Sequence, residues 1–135
     1  MKKVFLDSDI ILDALLKRPG FYLPAINILD LAHQSYFKAV TSSIAFINVH
    51  YFLNKFNADI AIQSLTKLRL FISILEVNEK TIDIALKSEF KDFEDAVQYY
   101  AAKSAGADVI ITRNTKDYKE SIIPVLTPEQ FLRTL

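Results

Sequence analysis

Cysteine is absent from this sequence, which excludes disulfides, thiolate zinc sites and a cysteine nucleophile, and accords with a reducing compartment. Histidine is scarce: His33 and His50 are too few for a chemistry built on imidazole. Excess charge of either sign is also missing, because 16 basic side chains balance 16 acidic ones. No global field therefore draws the protein to nucleic acid or an anionic membrane, and any polyanion must be met locally. No apolar run reaches the roughly 18 residues of a membrane span. Asp7 and Asp9 interrupt the apolar stretch behind the N-terminal lysines, so neither a signal peptide nor membrane association is expected, and the cytoplasm is the default. Two glycines and four prolines against 51% hydrophobic residues exclude a disordered chain and predict one compact, α-rich domain over residues 1–135.

What is present is an alternation of strand and helix patterns. "KVFLDS" reads as a buried strand, and "DIILDALL" takes up helical spacing with Ile10, Ile11, Ala14 and Leu15 on one face. After the "RPG" break, "LPAINILDLAHQSY" reads as a helix and "KAVTS" as a short strand. "SIAFINVHYFLNKF" reads as a helix with an apolar stripe of Ile44, Ile47, Tyr51 and Phe52 that includes Asn48. "ADIAIQSLTKLRLF" (helix), "ISILEV" (strand) and "EKTIDIALKS" (helix) follow. "DFEDAVQYYAAKSAG" is an amphipathic helix stopped by Gly106, its buried face read as Phe93, Ala96, Val97, Tyr100 and Ala101. "DVIIT" is a last buried strand, the polar loop "RNTKDYKE" comes next, and "IPVLTPEQFLRTL" supplies an edge strand and a Thr-Pro-capped helix. Strands separated by helices predict an α/β fold, a mostly parallel central sheet flanked by helices on both faces.

Ligands of such sheets collect outside the carboxyl ends of the strands. Asp7 closes the first strand, Asn114 and Asp117 follow "DVIIT", and Asp92 and Asp95 open the preceding helix, so all are candidates for one edge. Converging carboxylates raise one another's pKa or push apart, whereas a hard cation such as Mg²⁺ takes oxygen ligands and a few carboxylates. Simpler explanations exist for single residues. Asp9, Asp92 and Glu94 suit helix N-caps or first turns, Asp13 a solvated helix face, Asp117 a turn, and Asn48 a buried amide bonded to backbone. Asp7 has no such explanation, since propensity disfavours a carboxylate at the end of a hydrophobic strand. The Phe and Tyr residues read as core and not as a base-stacking platform.

Three stretches together, "FLDSDIILDALL", "TSSIAFINVHYFL" and "DFEDAVQYYAAKSAGADVIITRNTKDY" followed by "IPVLTPEQFL", resemble the PIN domain, and within it the VapC-like toxin nucleases. The resemblance runs over essentially the whole chain. It implies a PIN-like three-layer α/β fold and a metal-dependent endoribonuclease, in which acidic residues bind Mg²⁺ or Mn²⁺ and an activated water cleaves RNA. It also implies a cognate antitoxin protein and a homodimer, for which the apolar-rich segments 23–37 and 58–71 offer surface. Carried over, the resemblance puts Asp7, Asp95 and Asp117 in the metal and catalytic set, with Asn114 and Asn48 as catalytic partners. Asp92 joins as a further ligand, and Asp9 and Thr112 as auxiliaries. Arg113, Lys116 and Lys119 lie beside Asp117 in the chain and are candidates for pairing with RNA phosphates. One departure is Asn48, where many members of the family carry Glu; an amide brings an oxygen to a metal without charge. Asn114 likewise stands where others have an acid.

Two other functions compete. "VFLDSDII" also resembles the first motif of haloacid-dehalogenase-like phosphatases, with Asp7 and Asp9 as nucleophile and acid/base, but the later Lys and Gly-Asp pattern is missing. The other is a non-catalytic PIN-like module that binds RNA or protein, which the amide at Asn48 favours.

Overall fold

The computed structural model describes residues 1–135. Its elements in chain order are β1 (Lys3–Leu6), α1 (Ser8–Leu15), α2 (Tyr22–His33), β2 (Lys38–Ser42), α3 (Ser43–Asn54), α4 (Ala58–Leu68), β3 (Ile72–Leu75), α5 (Glu79–Leu86), α6 (Phe93–Ser104), β4 (Val109–Ile111), a single 3₁₀ turn (Thr115–Tyr118), β5 (Val125–Leu126) and α7 (Pro128–Leu132). The five strands form one wholly parallel sheet in the order β3-β2-β1-β4-β5, so β1 is central and the order reverses beside it. This is the expected α/β architecture, with β5 at an edge.

Alternation along β1 explains the layers. Val4 and Leu6 point into the larger core with Ile10, Ile28, Val49 and Phe131 of α1, α2, α3 and α7. Phe5 points to the opposite face, where Val40 and Ile110 meet Tyr99 and Ala102 of α6 and the ring of Tyr118. A smaller group, Ala85, Ala96 and Val97, seals α5 against α6. A strand buried on both faces has no polar side to show, which is why β1 and β4 read as continuous apolar runs.

Caps fix where the helices begin. Ser42 accepts the Ala45 N–H, Asn57 that of Ile60, Asn78 that of Thr81, Asp92 that of Asp95 and Thr127 that of Gln130. Asp7 itself is the N-cap of α1, with its side chain on the Ser8 N–H, and Asp9 lies in the first turn. Gly106, at φ +73°, closes α6: its N–H reaches the Lys103 carbonyl and that of Ala107 the Ala102 carbonyl, a left-handed turn that favours glycine.

Three expectations about faces fail. In α3 the buried residues are Ala45, Val49 and Leu53, while Ile47, Tyr51 and Phe52 are exposed. The helix is apolar nearly all round, so spacing did not select the face that meets the sheet. In α6 the inner face is Ala96, Val97, Gln98, Tyr99, Ala101 and Ala102, with Phe93 exposed and Tyr100 half-buried. The aromatic residues are not all core, since Tyr36, Tyr51 and Phe56 are open to solvent.

Candidate active site

β1 ends at the centre of the sheet, and Asp7 is the first residue beyond it. The Asp7 N–H still reaches the Ile111 carbonyl at 3.0 Å, so β4 holds its backbone while α1 starts at its side chain. Asp7 is 8% exposed, and every donor given to it is neutral. Its Oδ1 accepts the Ser8 N–H at 2.7 Å, and its Oδ2 accepts the hydroxyls of Thr112 at 3.0 Å and Tyr118 at 3.2 Å. Burial raises its pKa, and the bonds from Thr112, Ser8, Tyr118 and Gln98 offset part of that rise. The Tyr118 phenol is pushed up by burial and by the charge of Asp7, so it serves as a donor.

Gln98 and Tyr118 escaped the sequence reading. Gln98 is buried on α6, and its Oε1 accepts the Ser42 hydroxyl at 3.3 Å, which ties the cap of α3 to the surroundings of Asp7. A glutamine on the otherwise apolar inner face of α6 was the available signal.

Asp95, half-buried in the first turn of α6, is pushed up to about 7 by burial, then by Asp92, Asp7, Asp117 and Glu94. These acids are near enough for their charges to reinforce one another, and no cation is among the causes of the shift. Asp117 is exposed on the 3₁₀ turn. Asp92, Asp95 and Asp117 line a cleft of about 310 Å³, with Lys91, Lys116 and Lys119 at its walls. Asn48 donates from Nδ2 to Glu94 Oε1 at 2.7 Å, a side-chain partner instead of the expected backbone one.

The loop after β4 is bound to α1 by the remaining acids. Asp9 Oδ2 accepts the Arg113 N–H at 3.2 Å and the Asn114 amide at 3.4 Å, and lies 3.5 Å from the Thr112 hydroxyl, whose single proton has its shorter contact with Asp7. Its Oδ1 is buried without a partner. Burial and the Asp7 charge push Asp9 up to about 7. Asp13 is not a solvated residue. It is 1% exposed, and Arg113 meets it with Nη2 at 3.1 Å from Oδ1 and Nε at 2.8 Å from Oδ2, the latter an ionic contact and not an aligned hydrogen bond. Arg18 adds a contact at 3.4 Å, and Arg113 lies over the Phe21 ring at 4.0 Å. The guanidinium expected to meet RNA is thus engaged inward, because Asp13 offers a buried counter-charge; Lys116 and Lys119 stay at the cleft.

The donor set is all oxygen, and its acids raise one another's pKa, which suits a hard divalent cation. No three acids stand close enough to enclose an ion as they are. Mg²⁺ keeps several waters and binds through one or two carboxylates, so a closed cage is not required, and the residues fit.

A family model described as PIN domain matches residues 3–116. The chain belongs to the PIN domain family. This PIN domain is 27% identical over 135 residues to Ribonuclease VapC1 of Aquifex aeolicus (strain VF5), covering 96% of this chain and 93% of that protein. Among solved structures it is similar to a toxin-antitoxin complex from Klebsiella pneumoniae, with a TM-score of 0.71, 23% identity, and coverage of 93% of this chain and 97% of that one. It is also similar to VapC20 of Mycobacterium tuberculosis, a sarcin-ricin loop cleaving toxin, with a TM-score of 0.61, 15% identity, and coverage of 79% and 86%. Family membership displaces the phosphatase alternative. Asp9, the acid/base of that reading, spends its Oδ2 on the loop after β4. No helix is long and apolar enough to cross a membrane.

Proposed function

We propose that this PIN domain is a metal-dependent endoribonuclease of the VapC toxin type, acting as a single unit over residues 1–135. The observation that carries the reading is Asp7. It is a buried carboxylate at the C-terminal end of the central strand, held by neutral donors and near enough to Asp95 to raise it. Asp7, Asp95 and Asp117, with Asp92, would hold Mg²⁺ or Mn²⁺. When bound, such an ion supplies charge for the scissile phosphate and a lowered pKa for water. Thr112, Tyr118 and Gln98 keep the Asp7 carboxylate oriented. Asp9 holds the backbone of Arg113 and the Asn114 side chain, which carries the loop to Asp117. Lys116 and Lys119 meet the flanking phosphates of the RNA as point charges. The likeness to a toxin-antitoxin complex supports a cognate antitoxin as protein partner, and the reading puts the pair in the cytoplasm.

Incubation of the purified protein with structured RNA, with chelator or with Mn²⁺, tests this. Cleavage is expected with Mn²⁺ only and is lost in Asp7→Asn; equal cleavage by the two proteins refutes it. A second reading, a PIN module that binds without cutting, is favoured by the amide at Asn48 and by the lack of a ready three-acid cluster. It predicts RNA or partner binding with no metal-dependent cleavage.

A further inference from the structure

α3 and α6 are joined at the site by a pair that the proposed mechanism leaves unused. Asn48, half-buried in the middle of α3, donates from Nδ2 to Oε1 of Glu94 at 2.7 Å. That length is at the short end for N–H···O. Glu94 is the second residue of α6, where an acid is favoured by the unpaired N–H groups of the first turn without any help from another helix. The helix end therefore explains why an acid is there, but not why a side chain of another helix holds it.

An exposed glutamate next to crowded carboxylates relieves repulsion by swinging into water. Glu94 adjoins Asp95, which already feels Asp92, Asp7 and Asp117. Asn48 works against that relief by keeping Glu94 on the α3 side. Only Oε1 is engaged by the protein, and Oε2 accepts nothing from any side chain or backbone group. Asn48 is suited to the task because its amide donates to a carboxylate without adding charge of its own.

Building on the metal-dependent reading above, we infer that Glu94, steered by Asn48, is a further carboxylate of the cation site, and that Asn48 is a positioning residue acting through Glu94. The negative charge that an amide at position 48 does not bring is supplied from α6, one residue before Asp95. Oε2, which no protein group engages, would be the oxygen offered to the ion or to one of its waters. Neither residue forms or breaks a bond in the reaction.

Isothermal titration of the full-length, metal-free protein with Mn²⁺ tests the inference, using Glu94→Gln, Asn48→Ala, the double variant, and the exchanged pair Asn48→Glu with Glu94→Gln. Glu94→Gln and Asn48→Ala are each expected to weaken Mn²⁺ binding about ten-fold, the usual loss when a group that orients or supplements metal ligands is removed. The double variant loses no more than one of the singles, because both act on one carboxylate. The exchanged pair, which restores an amide-to-carboxylate bond with the charge on α3, recovers most of the affinity. Wild-type affinity in Glu94→Gln, or losses in the two singles that add in the double, overturns the inference. So does a loss confined to melting temperature, which would make the pair only a staple between helices. Wild type that binds no Mn²⁺ is a separate result, since it removes the metal-dependent reading itself.

Discussion

Replacing Asp95 by Asn is expected to stabilise the metal-free protein, although the change removes an acid from the first turn of a helix. Asp95 lies at about 7 in the folded protein against an ordinary value of 3.8, raised by burial and by four acidic neighbours. Because its folded pKa is raised, the folded state binds more protons than the unfolded state between about pH 4 and pH 7. Stability therefore falls as pH rises through that window and stops falling above it. Taken at face value the displacement amounts to roughly 4 kcal/mol at about 1.4 kcal/mol per pH unit. Asp95 is only half-buried, however, and solvent screening reduces this to about 1–2 kcal/mol. Against it stands the favourable interaction of an acid with the helix N-terminus, about 0.5 kcal/mol. The net expectation is a gain of about 1 kcal/mol at pH 8, or about 3–4 °C in melting temperature for a chain of this size. Melting wild type and Asp95→Asn in chelator from pH 4 to pH 8 checks it: the two should coincide near pH 4 and diverge up to pH 7. A variant that melts at or below wild type at pH 8 refutes the reasoning, since Asp95 would then be a helix-end acid with no electrostatic crowding to relieve.

Asp13→Ala leaves Arg113 and Arg18 without their buried counter-charge. Because both arginine side chains stay about a third exposed, the loss should be about 2–3 kcal/mol, below the full figure for breaking a buried pair, and a melting shift under about 2 °C would contradict it. Tyr118→Phe keeps the ring in its pocket and removes one donor to Asp7; about 1 kcal/mol of stability should go, measured by urea unfolding, with an unchanged midpoint as the contrary result. The exposed Ile60, Ile62 and Leu70 around α4 offer the kind of surface that pairs with a second copy. Sedimentation should show a concentration-dependent dimer that Ile62→Asp weakens, and a monomer throughout counts against it.

The strands were legible because a strand buried on both faces must be apolar, and Asp7 stood out as the carboxylate that ends such a run; the structure adds the local reason that was missed, since Asp7 also caps α1. Asp92 was legible as a cap for the same kind of local reason. What could not be read depended on partners far along the chain. Asp13 resembles a surface residue of α1 until Arg113, 100 positions away, is seen to neutralise it. The inner face of α3 was misread because Ile44, Phe46, Ile47 and Phe52 make the helix apolar around most of its circumference, so burial was decided by the sheet and not by spacing. Glu94 was set aside as a helix-end acid because nothing within α6 announces that Asn48 will hold it.

The pairing of β1 with β4 has a consequence for how the protein comes into being. Val4 aligns with Val109, Phe5 with Ile110 and Leu6 with Ile111, and the Thr112 hydroxyl meets Asp7 across 105 residues of chain. Contacts that distant carry a large loop-closure entropy and form late, after local helices and nearer strand pairs. During synthesis Asp7 leaves the ribosome early, but the groups that orient it, from Gln98 through Tyr118, emerge in the last third of the chain. A partly made chain therefore holds the acid without its setting, and the site exists only once the central crossover has closed.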